Sequence, residues 1–203
     1  MNRYDELARQ LVAAGKQLYD MQMVPATSGN FSARIDADEL AITVSGRHKG
    51  RLTTDDIMRI NLAGESLDGK KPSAETGLHT QIYRRCPDAQ AVLHAHSLYA
   101  TLISRTDRTS LELKNYELLK AFPGISTHDV SVTIPIFDND QDITRLADVV
   151  DTYMENNEMC PVYLIRGHGF YTWGNSLDNT LNYIEALEFL FKCELTAEGV
   201  NTP

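Results

Sequence analysis

The chain has 203 residues, of which 42% are hydrophobic and 23% are charged. This length and composition are typical of one globular domain that buries its core without disulfide or metal cross-links, so we expect a single domain over residues 1–203. The net charge of −9 at pH 7 argues against binding to nucleic acid, which normally requires a basic face.

Neither the membrane nor the secretory pathway is indicated by the sequence. No apolar run approaches the roughly 20 residues that cross a bilayer, and the N-terminal segment lacks the hydrophobic core of a secretory signal. The three cysteines, Cys86, Cys160 and Cys193, are widely spaced and form no CxxC motif, which disfavours a disulfide framework. We therefore expect a soluble cytoplasmic protein.

The first half of the chain alternates helical and extended patterns. Residues 3–20 carry apolar side chains at helical spacing and predict an amphipathic helix that ends before Pro25. Residues 40–45 alternate as a half-buried strand, and 53–56 look like a helix start before an element at 58–62. Ser73 is predicted to be the N-cap of a helix over residues 74–85, which Pro87 prevents from continuing.

The second half continues this mixture. Residues 91–96 read as a buried strand, and Ser97 is expected to cap a helix that runs to Leu102. The remaining predictions are a short helix at 116–122, a strand at 130–137, a helix at 142–153, extended segments at 162–165 and 170–173, and a long amphipathic helix at 177–195. The pattern predicts an α/β fold in which helices cover a sheet.

Three histidines are the strongest candidates for a metal site. His94 and His96 are separated by one residue on a predicted strand, so both imidazoles point to the same face. His168 lies between two glycines directly after the apolar segment 162–165, where loops deliver functional groups. Three neutral imidazoles with one open coordination position are typical of a catalytic zinc. His48, His79 and His128 are weaker candidates.

Glu75 allows two interpretations from the residues alone. It lies in the first turn of the predicted helix 74–85, where a carboxylate is favoured by the helix dipole. The side chain could therefore stabilise the helix start, or it could face the metal and take part in proton transfer.

Several short polar loops suit an anion. Thr27-Ser28-Gly29-Asn30, Ser45-Gly46 and Ser73 can direct backbone N–H and hydroxyl donors at phosphate oxygens. The basic segment 46–51 would suit the same ligand, although a solvated turn is the more ordinary interpretation of that segment.

The order and spacing of five motifs resemble the class II aldolase family, which includes the adducin head domain. The motifs are Thr27-Ser28-Gly29-Asn30, Ser45-Gly46, Pro72-Ser73-Ala74-Glu75, His94-Ala95-His96-Ser97 and Gly167-His168-Gly169, and they extend over nearly the whole chain. The segments 115–120 and 166–174 are most similar to dehydratases of this family that serve methionine salvage.

The resemblance implies a three-layer α/β/α domain with a mostly antiparallel central sheet, and a homotetramer with active sites at subunit interfaces. It implies one Zn²⁺ per subunit, held by His94, His96 and His168. It assigns substrate phosphate binding to Gly29, Asn30, Ser45, Gly46 and Ser73, and the catalytic acid/base role to Glu117, with a further site role for Glu75.

The chemistry implied by the resemblance is dehydration of a phosphorylated ketose. The zinc would acidify the C3 proton and stabilise the resulting enediolate, while Glu117 would donate a proton to the departing C4 hydroxyl and could also act as the base. A carboxyl group can perform both transfers only if burial raises its pKa. Glu75 would then only shape the site.

Two alternatives remain open. A sugar-phosphate aldolase or epimerase of the family would use the same zinc enediolate chemistry, but Ala74 and Gly167 depart from residues that are frequent in the aldolases. A non-catalytic interaction module similar to the adducin head would share the fold, and the intact His94, His96 and His168 argue against it.

Overall fold

The computed structural model describes residues 2–199, and these residues form five α-helices and eight β-strands. The helices are α1 (Arg3–Asp20), α2 (Thr76–Arg85), α3 (Leu98–Ser104), α4 (Ile143–Asn156) and α5 (Leu177–Ala197). The strands are β1 (Asn30–Arg34), β2 (Glu39–Thr43), β3 (Ile57–Asn61), β4 (Ala91–Ala95), β5 (Ser110–Lys114), β6 (Ser131–Phe137), β7 (Val162–Ile165) and β8 (Gly169–Gly174). Within residues 2–199, no helix combines the length and apolar character needed to cross a membrane.

Side-chain caps begin four of these helices. Asn2, Ser97, Asp142 and Ser176 each accept a hydrogen bond from a backbone N–H in the first turn of α1, α3, α4 and α5. Such a cap satisfies one of the N–H groups that a helix start leaves unpaired. The predicted cap at Ser97 is thereby confirmed.

The eight strands form one sheet in the order β3-β2-β1-β4-β8-β7-β6-β5. All neighbours pair antiparallel except β6 and β7, which are parallel. Helices cover both faces. One core contains side chains of α1, α3 and α5, and the other contains side chains of α2 and α4. The predicted three-layer α/β/α architecture with a mostly antiparallel sheet is therefore confirmed.

Two strands were not predicted from the sequence. β1 carries the polar residues Asn30 and Ser32 in buried positions, so it lacks the apolar signal of a central strand. β5 alternates buried and exposed residues at the edge of the sheet, and this pattern could have been read from Leu111 and Leu113.

Two short elements differ in type from the prediction. The segment that begins at Thr53 is a 3₁₀ turn over Thr54–Asp56, closed by a capping box between Thr53 and Asp56, and β3 follows at once. The predicted short helix at 116–122 is a 3₁₀ helix over Glu117–Ala121.

The prediction that Ser73 caps α2 is wrong. α2 begins at Thr76, and Glu75 occupies the N-cap position without a side-chain cap. A turn precedes the helix, in which the Thr76 backbone N–H donates to the Ser73 carbonyl oxygen at 3.2 Å and the Glu75 N–H donates to Ser73 Oγ at 3.3 Å. Because this turn precedes α2, the Glu75 carboxylate does not cap the helix.

Candidate active site

The three predicted metal-binding histidines lie together. His94 is on β4, His96 follows its last residue, and His168 lies in the turn between β7 and β8. The His96 ring centroid is 4.6 Å from that of His94 and 4.5 Å from that of His168. One potential ligand atom of each histidine and of Glu75 lies within 4.8 Å of all the others. We call these four residues the His/Glu cluster.

Sheet register explains why residues from three strands meet here. His94 pairs with Asn30 of β1 on one side and with Tyr171 of β8 on the other. Directly paired residues of antiparallel strands share one face of the sheet. The side chains of Asn30, His94 and Tyr171 therefore form a cross-strand row on the face that α2 and α4 cover.

Gly169 allows His168 to approach this row. A Cβ atom at position 169 would lie 2.1 Å from the carbonyl oxygen of Ala95, so only glycine permits this contact between β8 and the end of β4. The neighbouring His168 carbonyl oxygen lies 3.2 Å from Thr101 Oγ1 of α3, whose single hydroxyl proton has a closer acceptor in the Ser97 carbonyl oxygen at 2.8 Å. The position of His168 is thus set mainly by the sheet.

The orientation of the His94 ring is fixed on two sides. Its Nδ1 lies 2.9 Å from the carbonyl oxygen of Phe170, which can only accept, so Nδ1 carries the proton. The ring stacks on Tyr171 with a centroid distance of 4.1 Å and an interplanar angle of 11°. Its Nε2 lone pair is consequently directed into the cluster.

Burial keeps two of the imidazoles neutral. It lowers the pKa of His94 well below its usual value, and the charge of a protonated His168 would lower it further. Burial, with a contribution from His94, lowers the pKa of His96 to about 3. Neutral imidazole is the form that binds a metal ion.

This donor set fits a divalent metal. The buried His94 Nε2 has no hydrogen-bond partner within residues 2–199, although it lies 3.4 Å from Glu75 Oε2. A buried lone pair without a donor is costly unless another group occupies the position that it faces. Three imidazoles and a carboxylate are ligands that Zn²⁺ accepts. Metal-binding histidines usually donate their other ring N–H to a carbonyl or carboxylate oxygen, and the Phe170 carbonyl accepts this hydrogen bond from His94.

The Glu75 carboxylate lies between the imidazoles and Asn30. Its Oε1 lies 3.3 Å from His168 Nε2, and its Oε2 accepts a 2.6 Å hydrogen bond from Asn30 Nδ2. The carboxylate therefore faces the imidazoles rather than the helix start.

The predicted phosphate loops open onto the same space as the cluster. A cavity of about 300 Å³ is lined by residues that include Gly29, Asn30, Ser45, Gly46 and Ser73, together with Glu75, His96 and His168. The structure thus brings all five predicted phosphate-binding residues beside the predicted metal ligands.

Lys49 shows that the basic segment is more than a solvated turn. It is almost fully buried, and its ammonium group donates to the carbonyl oxygens of Thr27 at 2.9 Å and Arg47 at 2.6 Å while lining the cavity. Burial lowers its pKa to about 8. A cation in this position suits an anionic ligand, whereas Arg47 forms an outer ion pair with Asp56.

Glu117 is not brought to the cavity of its own chain. Its side chain is 69% exposed and forms a 2.5 Å ion pair with Lys120. The hydrogen bond from Lys120 lowers the pKa of Glu117, opposite to the direction that a combined acid and base requires. His48 and His128 also lie outside the lining of the cavity.

Sequence reasoning missed several residues around the site. Asn139 lines the cavity, and its Oδ1 lies 3.4 Å from His168 Nδ1. His79, which the sequence offered only as a weaker metal candidate, is fully buried and hydrogen-bonded to Asn30. Its spacing of four residues from Glu75, the N-cap of α2, was a usable signal for this position. Tyr171 could have been found only from the register that pairs it with His94.

A comparison with known families agrees with the motifs. The model of the Class II Aldolase and Adducin N-terminal domain family matches residues 9–195, which is most of the chain. The chain belongs to this family. Its relatives include a protein of Methylococcus capsulatus (strain ATCC 33009 / NCIMB 11132 / Bath) named methylthioribulose-1-phosphate dehydratase, which is 53% identical over 197 residues and 97% of both chains. A protein of Pseudomonas aeruginosa (strain UCBPP-PA14) with the same name is 54% identical over 193 residues and 94% of both chains.

Solved structures of two L-fuculose-1-phosphate aldolases have the same fold. An L-fuculose-1-phosphate aldolase from Thermus thermophilus superposes with a TM-score of 0.76 at 25% identity and 96% coverage of both chains. Another L-fuculose 1-phosphate aldolase gives a TM-score of 0.80 at 23% identity, covering 98% of this chain and 89% of the other.

Proposed function

We propose that this class II aldolase family member is a methylthioribulose-1-phosphate dehydratase, a hydro-lyase of methionine salvage. It would convert 5-methylthioribulose 1-phosphate to 2,3-diketo-5-methylthiopentyl 1-phosphate. The observation that carries the proposal is the 53% identity to proteins of that name over 97% of the chain. The His/Glu cluster beside a cavity lined by anion-binding loops supports it.

His94, His96 and His168 would hold the metal, one Zn²⁺ per subunit, with Glu75 beside it. When bound, the metal supplies a Lewis acid that polarises the C2 carbonyl and stabilises the negative charge left by removal of the C3 proton. The protein contributes the fixed geometry. Tyr171 and the Phe170 carbonyl hold the His94 ring, so the ligand does not have to be reoriented when metal or substrate binds.

The substrate phosphate would lie among Gly29, Asn30, Ser45, Gly46 and Ser73. Gly29 and Gly46 both have positive φ, +75° and +71°, a conformation in which successive backbone N–H groups can converge on an anion. The buried ammonium group of Lys49 would add a positive charge at this end of the cavity. The ketose carbons would then extend towards the imidazoles.

Glu117 would act from a neighbouring subunit. Its exposure in one chain is compatible with a carboxyl group that reaches the cavity of another copy in a homotetramer. Burial at that interface and separation from Lys120 would raise its pKa, as a general acid requires.

The proton balance of the reaction is then complete. Glu117, acting first as base and then as acid, would take the C3 proton and give it to the C4 hydroxyl, and this group would leave as water. The C3 enol that remains tautomerises to the diketone, and no oxidant or reductant is consumed.

Two further features belong to the proposal. Residues 1–203 would form one domain, since the strands of the described region join in a single sheet. A cytoplasmic location would suit Cys86, Cys160 and Cys193, all of which are free thiols.

A sugar-phosphate aldolase or epimerase is the alternative to the dehydratase, and L-fuculose-1-phosphate aldolases share the architecture. An interaction module similar to the adducin head is disfavoured, because such a module has no need of an open metal site beside a cavity.

The proposal is tested by incubating purified, zinc-loaded protein with 5-methylthioribulose 1-phosphate and following diketone formation by absorbance. Chelation of the metal should abolish the signal and added Zn²⁺ should restore it. Absence of diketone from protein that contains stoichiometric zinc would reject the dehydratase assignment.

A further inference from the structure

A network of buried, hydrogen-bonded polar side chains extends from Glu75 between α2 and β1. On α2 and its N-cap, Glu75, His79 and Tyr83 are spaced four residues apart and therefore share one helix face. On β1, Asn30 and Ser32 are spaced two apart and point towards that face. The contacts alternate between the two elements.

The hydrogen-bond partners of each group determine which atom donates and which accepts in this network. Asn30 Nδ2 donates to the Glu75 carboxylate at 2.6 Å, so Asn30 Oδ1 is turned towards His79 Nε2, with which it makes a short hydrogen bond. The reversed amide would place Oδ1 against a carboxylate oxygen, which can only accept. His79 Nε2 must therefore carry the proton.

The hydrogen bonds of Ser32 and Tyr83 follow from this tautomer of His79. Burial lowers the pKa of His79 to about 3, so the ring is neutral and its Nδ1 is an acceptor. Ser32 Oγ, 2.7 Å from Nδ1, donates to it, and the Tyr83 hydroxyl at 3.0 Å donates in turn to Ser32. Every donor thus points towards Glu75.

We propose that His79 is a positioning residue that acts through Asn30 to hold the Glu75 carboxylate against the metal-binding imidazoles. The amide of Asn30 could otherwise rotate or turn to the cavity that it lines. A histidine that accepts at one ring nitrogen and donates at the other locks this amide in one orientation. The inference rests on the proposed function only where turnover is the readout.

The test compares His79→Phe with His79→Gln in the full-length protein. Phenylalanine keeps the ring volume but removes both nitrogens, whereas a glutamine amide can donate to Asn30 from about the position of Nε2. We expect His79→Phe to lower kcat and the affinity for Co²⁺ by about 10-fold to 100-fold and to shift the visible Co²⁺ spectrum, as loss of an outer partner does in metal sites. The KM for the phosphorylated substrate should change little, and His79→Gln should recover most of both losses.

A double-mutant cycle separates positioning from general destabilisation. If His79 acts through Glu75, His79→Phe should have little additional effect on Co²⁺ affinity in a Glu75→Gln background. Thr180→Val is the control, because it also removes a buried side-chain hydrogen bond, in α5, away from the site. It should lower the melting temperature without changing the Co²⁺ spectrum.

The cobalt measurements need no substrate, so they test His79 even if the protein proves not to be a dehydratase. In the metal-free protein, nitrogen NMR should also find His79 neutral with the proton on Nε2. An unchanged Co²⁺ spectrum and affinity in His79→Phe, additive effects in the cycle, or a proton on Nδ1 would each overturn the inference. If His79→Phe does not fold, Ser32→Ala removes the donor to His79 Nδ1, and the same cycle decides the outcome.

Discussion

Asn30 Nδ2 lies 2.6 Å from Glu75 Oε2, and this hydrogen bond joins the predicted phosphate loop to the His/Glu cluster. The sequence assigned Asn30 to phosphate binding alone. Its side chain is instead held between Glu75 and His79, although it also lines the cavity. Asn30 and Ser73 should therefore differ in their contribution to turnover.

Ser73→Ala should raise KM for the phosphorylated substrate about tenfold and leave kcat nearly unchanged, because a lost phosphate contact is felt equally in the ground and transition states. Asn30→Ala should also raise KM, and should in addition lower kcat by about 10-fold to 100-fold through the lost bond to Glu75. Steady-state kinetics of both variants provide the check. If kcat is the same in Asn30→Ala as in Ser73→Ala, the Asn30 side chain contributes only to phosphate binding.

His94→Ala, His96→Ala and His168→Ala should each abolish turnover and most of the metal content while the protein stays folded, because a domain of this size does not depend on a metal for its core. Zinc analysis, kinetics and circular dichroism measure these outcomes. His128→Ala removes an exposed histidine outside the cavity and should retain full zinc. Full zinc content and activity in all three cluster variants would place the metal elsewhere.

Glu117→Gln keeps shape and hydrogen bonding but cannot exchange a proton, so we expect the rate to fall by about 10² to 10⁴ with zinc retained. Glu75→Gln should reduce activity less and should weaken zinc binding, since Glu75 faces the imidazoles. Glu112→Gln is the matched control, because Glu112 is another exposed glutamate paired with a lysine, Lys114. An inactive Glu75→Gln beside a nearly wild-type Glu117→Gln would indicate an aldolase-like arrangement.

The sequence predicted the fold class and the three histidines that the structure brings together, because both depend on local signals. The HxH spacing on a strand and the glycines around His168 are short-range patterns, and the apolar periodicity predicted most helices and strands. β1 was missed because two of its buried residues, Asn30 and Ser32, are polar. They make hydrogen bonds near the site instead of packing in the apolar core, so the strand lacks an apolar pattern. The spacing of four residues between Glu75 and His79 indicated a shared helix face, but the contact of His79 with Asn30 could not be predicted, since it depends on how α2 packs over β1.

Metal-free protein should lose stability as the pH falls, in part because of His79. Burial lowers its pKa to about 3 from about 6.5, with Glu75 opposing the shift. Between these values the unfolded chain binds a proton that the folded chain does not, so acid favours unfolding. From pH 7 to pH 5 the titration of His79 should lower the free energy of unfolding by about 2 kcal/mol.

His79→Gln should reduce this acid-dependent loss, since glutamine does not titrate. Denaturant unfolding of both metal-free proteins at pH 7 and pH 5 gives the comparison. An identical pH dependence in the two proteins would show that the pKa of His79 is the same in the folded and unfolded chains.

The central claim is tested most directly by analysing what zinc-loaded protein makes from 5-methylthioribulose 1-phosphate. Mass spectrometry should find one product that retains every carbon atom and has lost one water, and no product after the metal is removed. Two shorter fragments would indicate an aldolase, and an isomer of unchanged mass would indicate an epimerase. Either result, or no reaction with the zinc site filled, would contradict the dehydratase account.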